Sequence, residues 1–119
     1  MKTRALLFII ILAVTVPLCC CTPVRRSIDK RSGFSAHLAA AENRIREEDW
    51  DSAKNSITES IATWKRIKPY LQLDIDHDYI NDIEASFTLL RAYIESREKS
   101  HCLAYILLIR DTWENIGSM

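Results

Sequence analysis

Asp74-Ile75-Asp76-His77-Asp78 is the stretch of this chain richest in groups that do chemistry, and it runs on through Asn81, Asp82 and Glu84. Laid on a helix, Asp74, His77, Asn81 and Glu84 recur at three- and four-residue steps and share a face. An imidazole flanked by carboxylates suits a divalent ion such as zinc or manganese. Asp74, His77 and Asp78 are the candidate ligands, and a metal- or ligand-sensing domain centred on Asp74, Asp76, His77 and Asp78 is the function that would follow. Strong metal motifs repeat two histidines at fixed spacing, as in H-E-x-x-H, and no such pair occurs here. The plainer reading is a helix start enriched in aspartate, with His77 on an apolar seam, and no cofactor is expected.

His101-Cys102 has the residue types of a nucleophile pair, but adjacent helix positions point in different directions. Cys102 falls on an apolar stripe, where a cysteine acts as a small hydrophobe. No orienting third group accompanies the pair, so an enzyme is not expected. Trp50, Trp64 and Trp113 lie at helical spacing and read mainly as packing between helices. A tryptophan exposed at a bundle edge would serve a partner instead. Glu42, Arg46, Glu59 and Lys65 read as an ordinary solvated face.

The elements that must position these residues are helices. From Phe34 to Ile116 there is no glycine and one proline, Pro69, and apolar residues recur at three- and four-residue steps. A first helix is predicted from Ser35, as N-cap, to Glu48, with Leu38, Ala41 and Ile45 on one face. Asp49 caps a second, striped by Trp50, Ala53, Ile57, Ile61, Trp64 and Ile67, and Pro69 ends it because proline disfavours the α conformation in Lys68. A third carries Leu73, His77, Ile80, Ile83, Phe87, Leu90 and Ile94 as a coiled-coil-like seam ending near Arg97. After a turn around Ser96–Ser100, a fourth turns Cys102, Tyr105, Ile106, Ile109, Trp113 and Ile116 inward. Short turns make sequential helices antiparallel neighbours. The fold class is therefore all-α: an up-down antiparallel bundle of about four helices, in two hairpins, behind an N-terminal hydrophobic anchor. Glu48-Asp49-Trp50-x-x-Ala53 superficially resembles a tetratricopeptide repeat. Such arrays need about three repeats of roughly 34 residues, and two hairpins with unlike patterns exclude a solenoid.

Charge and cysteines divide the chain further. Of sixteen basic residues, six precede Gly33; of sixteen acidic residues only Asp29 does, which leaves ten basic and fifteen acidic in the body. An acidic body argues against nucleic-acid binding. A basic lead beside a membrane suits anionic headgroups. Lys2 and Arg4 followed by the uncharged run Ala5–Leu18 read as an export signal or a membrane segment. Leu18-Cys19-Cys20-Cys21 resembles the lipobox of bacterial lipoproteins, with Cys21 as the lipid-anchor residue and Cys20 where glycine or alanine is usual. An uncleaved span is the alternative: Ala5–Cys21 as a helix reaches about 25 Å, a little short of a bilayer core of roughly 30 Å. Arg25, Arg26, Lys30 and Arg31 outnumber Lys2 and Arg4, which by the positive-inside rule favours a cytoplasmic body in that case. The preferred reading is extracytoplasmic. The organisation is thus an anchor or signal at residues 1–21, a basic flexible tether at 22–33 and a helical bundle at 34–117. Only Cys102 lies in the body, so no disulfide framework staples it.

The order Glu48-Asp49-Trp50-x-x-Ala53, Trp64, Pro69-x-Leu71, Asp76-His77-x-x-Ile80-x-x-Ile83-x-x-Ser86, Leu90-x-x-Tyr93-Ile94 and Ser100 resembles a small bacterial envelope family, that of domain of unknown function 4363. The resemblance covers roughly Ser35 to Trp113. It implies an N-terminal hydrophobic anchor, a short helical domain and no assigned activity; the cysteine triplet stands where a plain anchor would be expected. The expectation is a non-enzymatic module attached by its N-terminus to membrane lipid, on the outer side of a bacterial cytoplasmic membrane. There it would dock an envelope or integral membrane protein through a helix face.

Overall fold

Gly33 separates two helices by adopting a left-handed conformation, φ 70°, which a side chain would strain. A computed structural model describes residues 24–116 of the chain. Before Gly33 lies α1, Val24–Ser32, and after it α2, Phe34–Arg46. Then follow α3, Trp50–Leu71, α4, His77–Glu95, and α5, Lys99–Asn115. The expected anchor and Cys21 lie outside the described residues.

The segment expected as a flexible tether is helical from Val24 to Ser32. The absence of a repeating apolar pattern there was misleading, because one contact suffices: Ile28 packs against the core. Asp29 also closes the junction. Its carboxylate accepts hydrogen bonds from the Ser35 backbone N–H at 2.9 Å and the Ser35 hydroxyl at 2.7 Å. Ser35 is therefore not an N-cap but a residue inside α2, whose N-cap is Gly33. The orphan donors of a helix start are here served by a side chain from the preceding helix.

Helices α2 and α3 form one hairpin, α4 and α5 a second; α2 packs on α5 and α3 on α4. The two hairpin turns are built alike. Glu48 and Arg97 take φ of 60° and 57°. Glu48 N–H donates to Ile45 O at 3.1 Å and Asp49 N–H to Arg44 O at 3.0 Å; Arg97 N–H donates to Ile94 O at 3.2 Å and Glu98 N–H to Tyr93 O at 3.0 Å. This is the paired closure that satisfies the last carbonyls of a helix, done without glycine.

The likeness extends to the core. Phe34, Leu38, Ala41 and Ile45 of α2 are buried, as are Ile83, Phe87, Leu90 and Ile94 of α4. On the inner helices Ala53, Ile57, Ser60, Thr63, Trp64 and Ile67 are buried, as are Cys102, Ile106, Ile109, Thr112, Trp113 and Ile116. Each member of one set stands forty-nine positions before its counterpart, as Trp64 before Trp113. The hairpins, unlike in their sequence pattern, thus share one buried register about an approximate two-fold axis.

Two helix boundaries differ from expectation. α3 passes through Pro69 to Leu71. Proline there removes one donor in the last turn only, while Leu71, 2 % exposed, adds a core contact. Burying such a side chain is worth about 1.5–3 kcal/mol, comparable to the proline penalty. α4 begins at His77 with Asp76 as N-cap, whose carboxylate accepts from Asp78 N–H at 3.3 Å. Leu73, expected on the seam, is 87 % exposed in the turn before it, and His77 is exposed. The seam starts at Ile80.

Candidate functional site

Four aromatic rings occupy the middle of the bundle at the end where α2 and α4 begin. Phe34 stands edge-on to Trp113 at 4.8 Å between ring centroids, tilted to Trp64 at 5.7 Å and edge-on to Phe87 at 6.2 Å. Trp64 and Trp113 meet edge-to-face at 6.4 Å. Both are buried, so they pack the hairpins together as expected, while Trp50 is half-buried. Each indole N–H finds a partner on the other hairpin. Trp64 Nε1 donates to Glu84 Oε1 at 3.2 Å, and Trp113 Nε1 donates to Ser35 Oγ at 3.1 Å. Ser35 and Glu84 are again forty-nine positions apart. Glu84 also accepts from Lys68 Nζ at 2.6 Å, and this bond foremost holds its carboxyl below the ordinary range.

The aspartate-rich stretch does not converge. Asp74 lies in the turn after α3, Asp76 caps α4, and His77 and Asp78 sit exposed in its first turn. Among the described residues no group of three His, Cys, Asp or Glu side chains is placed to hold a metal ion. Cys102 is fully buried, and burial pushes its thiol up to about 11. A thiol so protonated is a poor nucleophile at neutral pH. His101 points elsewhere, stacking on Tyr93 at 4.6 Å.

Glu42, expected on a solvated face, is 8 % exposed. Arg46 donates to its Oε1 through Nη2 at 2.7 Å and Nε at 3.0 Å, and Arg110 of α5 donates to Oε2. The Arg46 bonds hold the carboxyl below the ordinary range against the upward push of burial, with Arg110 adding to them. The cluster closes the seam between α2 and α5. A depressed carboxylate pKa stabilises the fold above the unfolded value, and the benefit is lost as pH falls through the folded value. Urea midpoints should therefore fall as pH drops below the unperturbed glutamate value of 4.5, Glu84 sharing the effect and Asp49 joining it below the aspartate value of 3.8. Glu42→Gln should make that decline shallower. An unchanged slope would remove Glu42 from the account.

The outer faces of the two hairpins differ where their cores agree. On the second, Tyr93 is stacked between His101 and Tyr105, the latter at 5.6 Å. Leu89 and Leu108, 41 % and 47 % exposed, extend this face by one turn on each helix. The counterparts on the first hairpin are Ala40, Arg44, Ser52, Ser56 and Glu59. Tyr93 and Tyr105 pack against the edge of the core, but Leu89 and Leu108 stand exposed beside them, so the apolar face of α4 and α5 extends beyond the core. Single exposed apolar residues are ordinary; a continuous set on one face marks an interaction surface. Sequence reasoning singled out tryptophans and missed this face, whose signal is visible only once the forty-nine-residue register is known.

The model for the family described as domain of unknown function (DUF4363) matches residues 26–119, which takes in the whole bundle. No curated protein and no solved structure matches the chain.

Proposed function

We propose, for a chain that belongs to the DUF4363 family, that it is a non-enzymatic docking module held at a bacterial cell membrane by its N-terminal segment. The body stands on the extracytoplasmic side and binds an envelope or integral membrane protein. One observation carries the reading: Leu89, Tyr93, His101, Tyr105 and Leu108 form an apolar, aromatic face on the second hairpin where the first hairpin presents Ala40 and four polar residues. Interfaces are enriched in tyrosine over lysine and glutamate, and the contrast between hairpins follows that pattern. The membrane reading is supported by the uncharged run Ala5–Leu18 and the basic residues that follow it. Among the described residues no helix is long and apolar enough to cross a membrane.

Affinity capture from detergent-solubilised membranes tests the docking face, with the full chain as bait. Leu89→Glu with Leu108→Glu should lower recovery of the captured membrane protein by at least about tenfold, which corresponds to 1.4 kcal/mol. The thermal midpoint should barely move, because both side chains are exposed and outside the core. Ala40→Glu, at the place on the first hairpin equivalent to Leu89, should leave recovery intact. Equal recovery by all variants would overturn the face as the docking site. Capture of nothing but equimolar copies of the chain itself would replace docking by self-association.

A further inference from the structure

A groove of about 850 Å³, open to solvent, runs between α1 and the C-terminal part of α3. Its apolar wall is Ile28 and Ile67, Tyr70 stands at its edge 69 % exposed, and Arg31 and Arg66 line it with positive charge. We propose that this groove receives the headgroup of an anionic phospholipid from the bilayer to which the N-terminal segment is attached, an inference that rests on the membrane attachment proposed above.

Three observations carry it. The first is unspent charge. The body has an acidic excess, and Arg44, Arg46, Lys54, Lys68, Lys99 and Arg110 are paired with its carboxylates. Among the described residues Arg31 and Arg66 form no ion pair, a state they share with Lys30, Lys65, Arg91 and Arg97, and they are the two that line this groove together. Arg66 gives one hydrogen bond, from Nη2 to Thr63 Oγ1 at 3.1 Å, which leaves most of its donors available. Guanidinium groups bind phosphate in a bidentate fork, so two of them beside an apolar wall match a phosphate ester joined to acyl chains.

The second is place. No charge occurs between Arg4 and Arg25, the expected anchor closes at Cys21, and α1 begins at Val24. The intervening residues 22–23 span at most about 7 Å when fully extended. The nine residues of α1 add about 14 Å. The groove therefore lies on the first folded segment after the apolar run, within reach of the headgroup layer. It cannot be carried far from the bilayer, because Asp29 and Ser35 lock α1 to α2.

The third is orientation. The same end of the bundle carries Asp74, Asp76 and Asp78 at the start of α4, which an anionic surface repels. Arg25, Arg26, Lys30 and Arg31 all belong to α1. The end is thus basic on its α1–α3 edge and acidic on its α4 edge, and the basic edge turns toward the lipid. Tyrosine is favoured at that boundary, where one side of the ring is apolar and its hydroxyl is wet. Tyr70 stands there.

The test uses the full chain reconstituted in phosphatidylcholine vesicles. Energy transfer from its tryptophans to dansyl-labelled phosphatidylglycerol is competed by unlabelled phosphatidylglycerol or phosphatidylcholine. A basic residue near an anionic surface is worth about 1 kcal/mol, or about fivefold, so the two groove arginines together account for about 25-fold of the preference for phosphatidylglycerol. Arg31→Gln with Arg66→Gln should lower the preference by about that factor, to what Arg25, Arg26 and Lys30 supply, yet float with phosphatidylcholine vesicles and melt like the unaltered chain. An unaltered chain that floats without any preference overturns the groove and leaves the membrane attachment standing. A chain that fails to float overturns the attachment and the inference with it. Preference undiminished in the double variant would move the lipid contact to Arg25 and Arg26 and overturn the groove. Full competition by soluble glycerol phosphate would make it a free-anion site, which also overturns the inference.

Discussion

Replacing Phe34 by alanine should lower the stability of the bundle by about 3–5 kcal/mol, the usual range for a large aromatic removed from a core. Phe34 is fully buried, although it is the first residue of α2. A first-turn position usually frays, and burial there has to be explained. The explanation is that Phe34 touches Trp64, Phe87 and Trp113 together, so one ring joins α3, α4 and α5. Gly33 and the Asp29–Ser35 bonds fix the backbone that delivers it. A domain of this size has roughly 5–15 kcal/mol to lose. The loss should appear as a lower urea midpoint with an unchanged slope, and Phe34→Leu should fall between the two. A loss under about 1 kcal/mol would show that the N-terminus of α2 is frayed and that the other three rings close the core without it.

The helical period in the sequence was enough to find the four long helices, because apolar residues at three- and four-residue steps leave few other structures open. Asp49 was legible as a cap for the same reason: a short acceptor immediately before a periodic run. Pro69 misled because the rule about the residue before a proline is a preference, and the buried Leu71 outweighs it. Leu73 and His77 extended the seam of α4 backwards by arithmetic alone, whereas Asp76 starts the helix after them. Glu42 could not be recognised as buried, since its partner Arg110 is distant in sequence and belongs to the last helix. The internal register stayed hidden because few counterparts within the hairpins are identical: Ala36 and Ala85, Ile45 and Ile94, Ile57 and Ile106, Thr63 and Thr112, Trp64 and Trp113, Ile67 and Ile116. Burial, not identity, reveals it. With it comes the candidate docking face, which is the part of one hairpin that its twin does not need. Asp74, His77 and Asp78 show the converse: they are close along the chain, yet Asp74 stands in the turn while His77 and Asp78 lie on the first turn of α4, so proximity in sequence says nothing about convergence across a turn.

That register yields the second large effect, at the tryptophans. Trp64→Ala and Trp113→Ala should each cost about 3–5 kcal/mol, and by nearly equal amounts, because the two rings occupy equivalent places about the axis. Trp64→Phe separates volume from hydrogen bonding. It keeps a ring in place and removes the donor to Glu84, which retains the Lys68 bond at 2.6 Å and is not left bare. The loss should then be near the roughly 1 kcal/mol of an ordinary hydrogen bond, plus a small cavity term. Alanine at both sites would take about 6–10 of the roughly 5–15 kcal/mol available and leave little folded protein to measure, so coupling is read from leucine at each. The rings are 6.4 Å apart, within the range of edge-to-face pairs worth about 0.5–1.5 kcal/mol beyond their buried area. The double leucine variant should therefore lose less than the two single losses added, by about that margin. Strict additivity would mean that the rings are neighbours without being partners. The hairpins would then be held together chiefly by the aliphatic positions flanking them, and the Glu42 cluster would have to fix their relative setting.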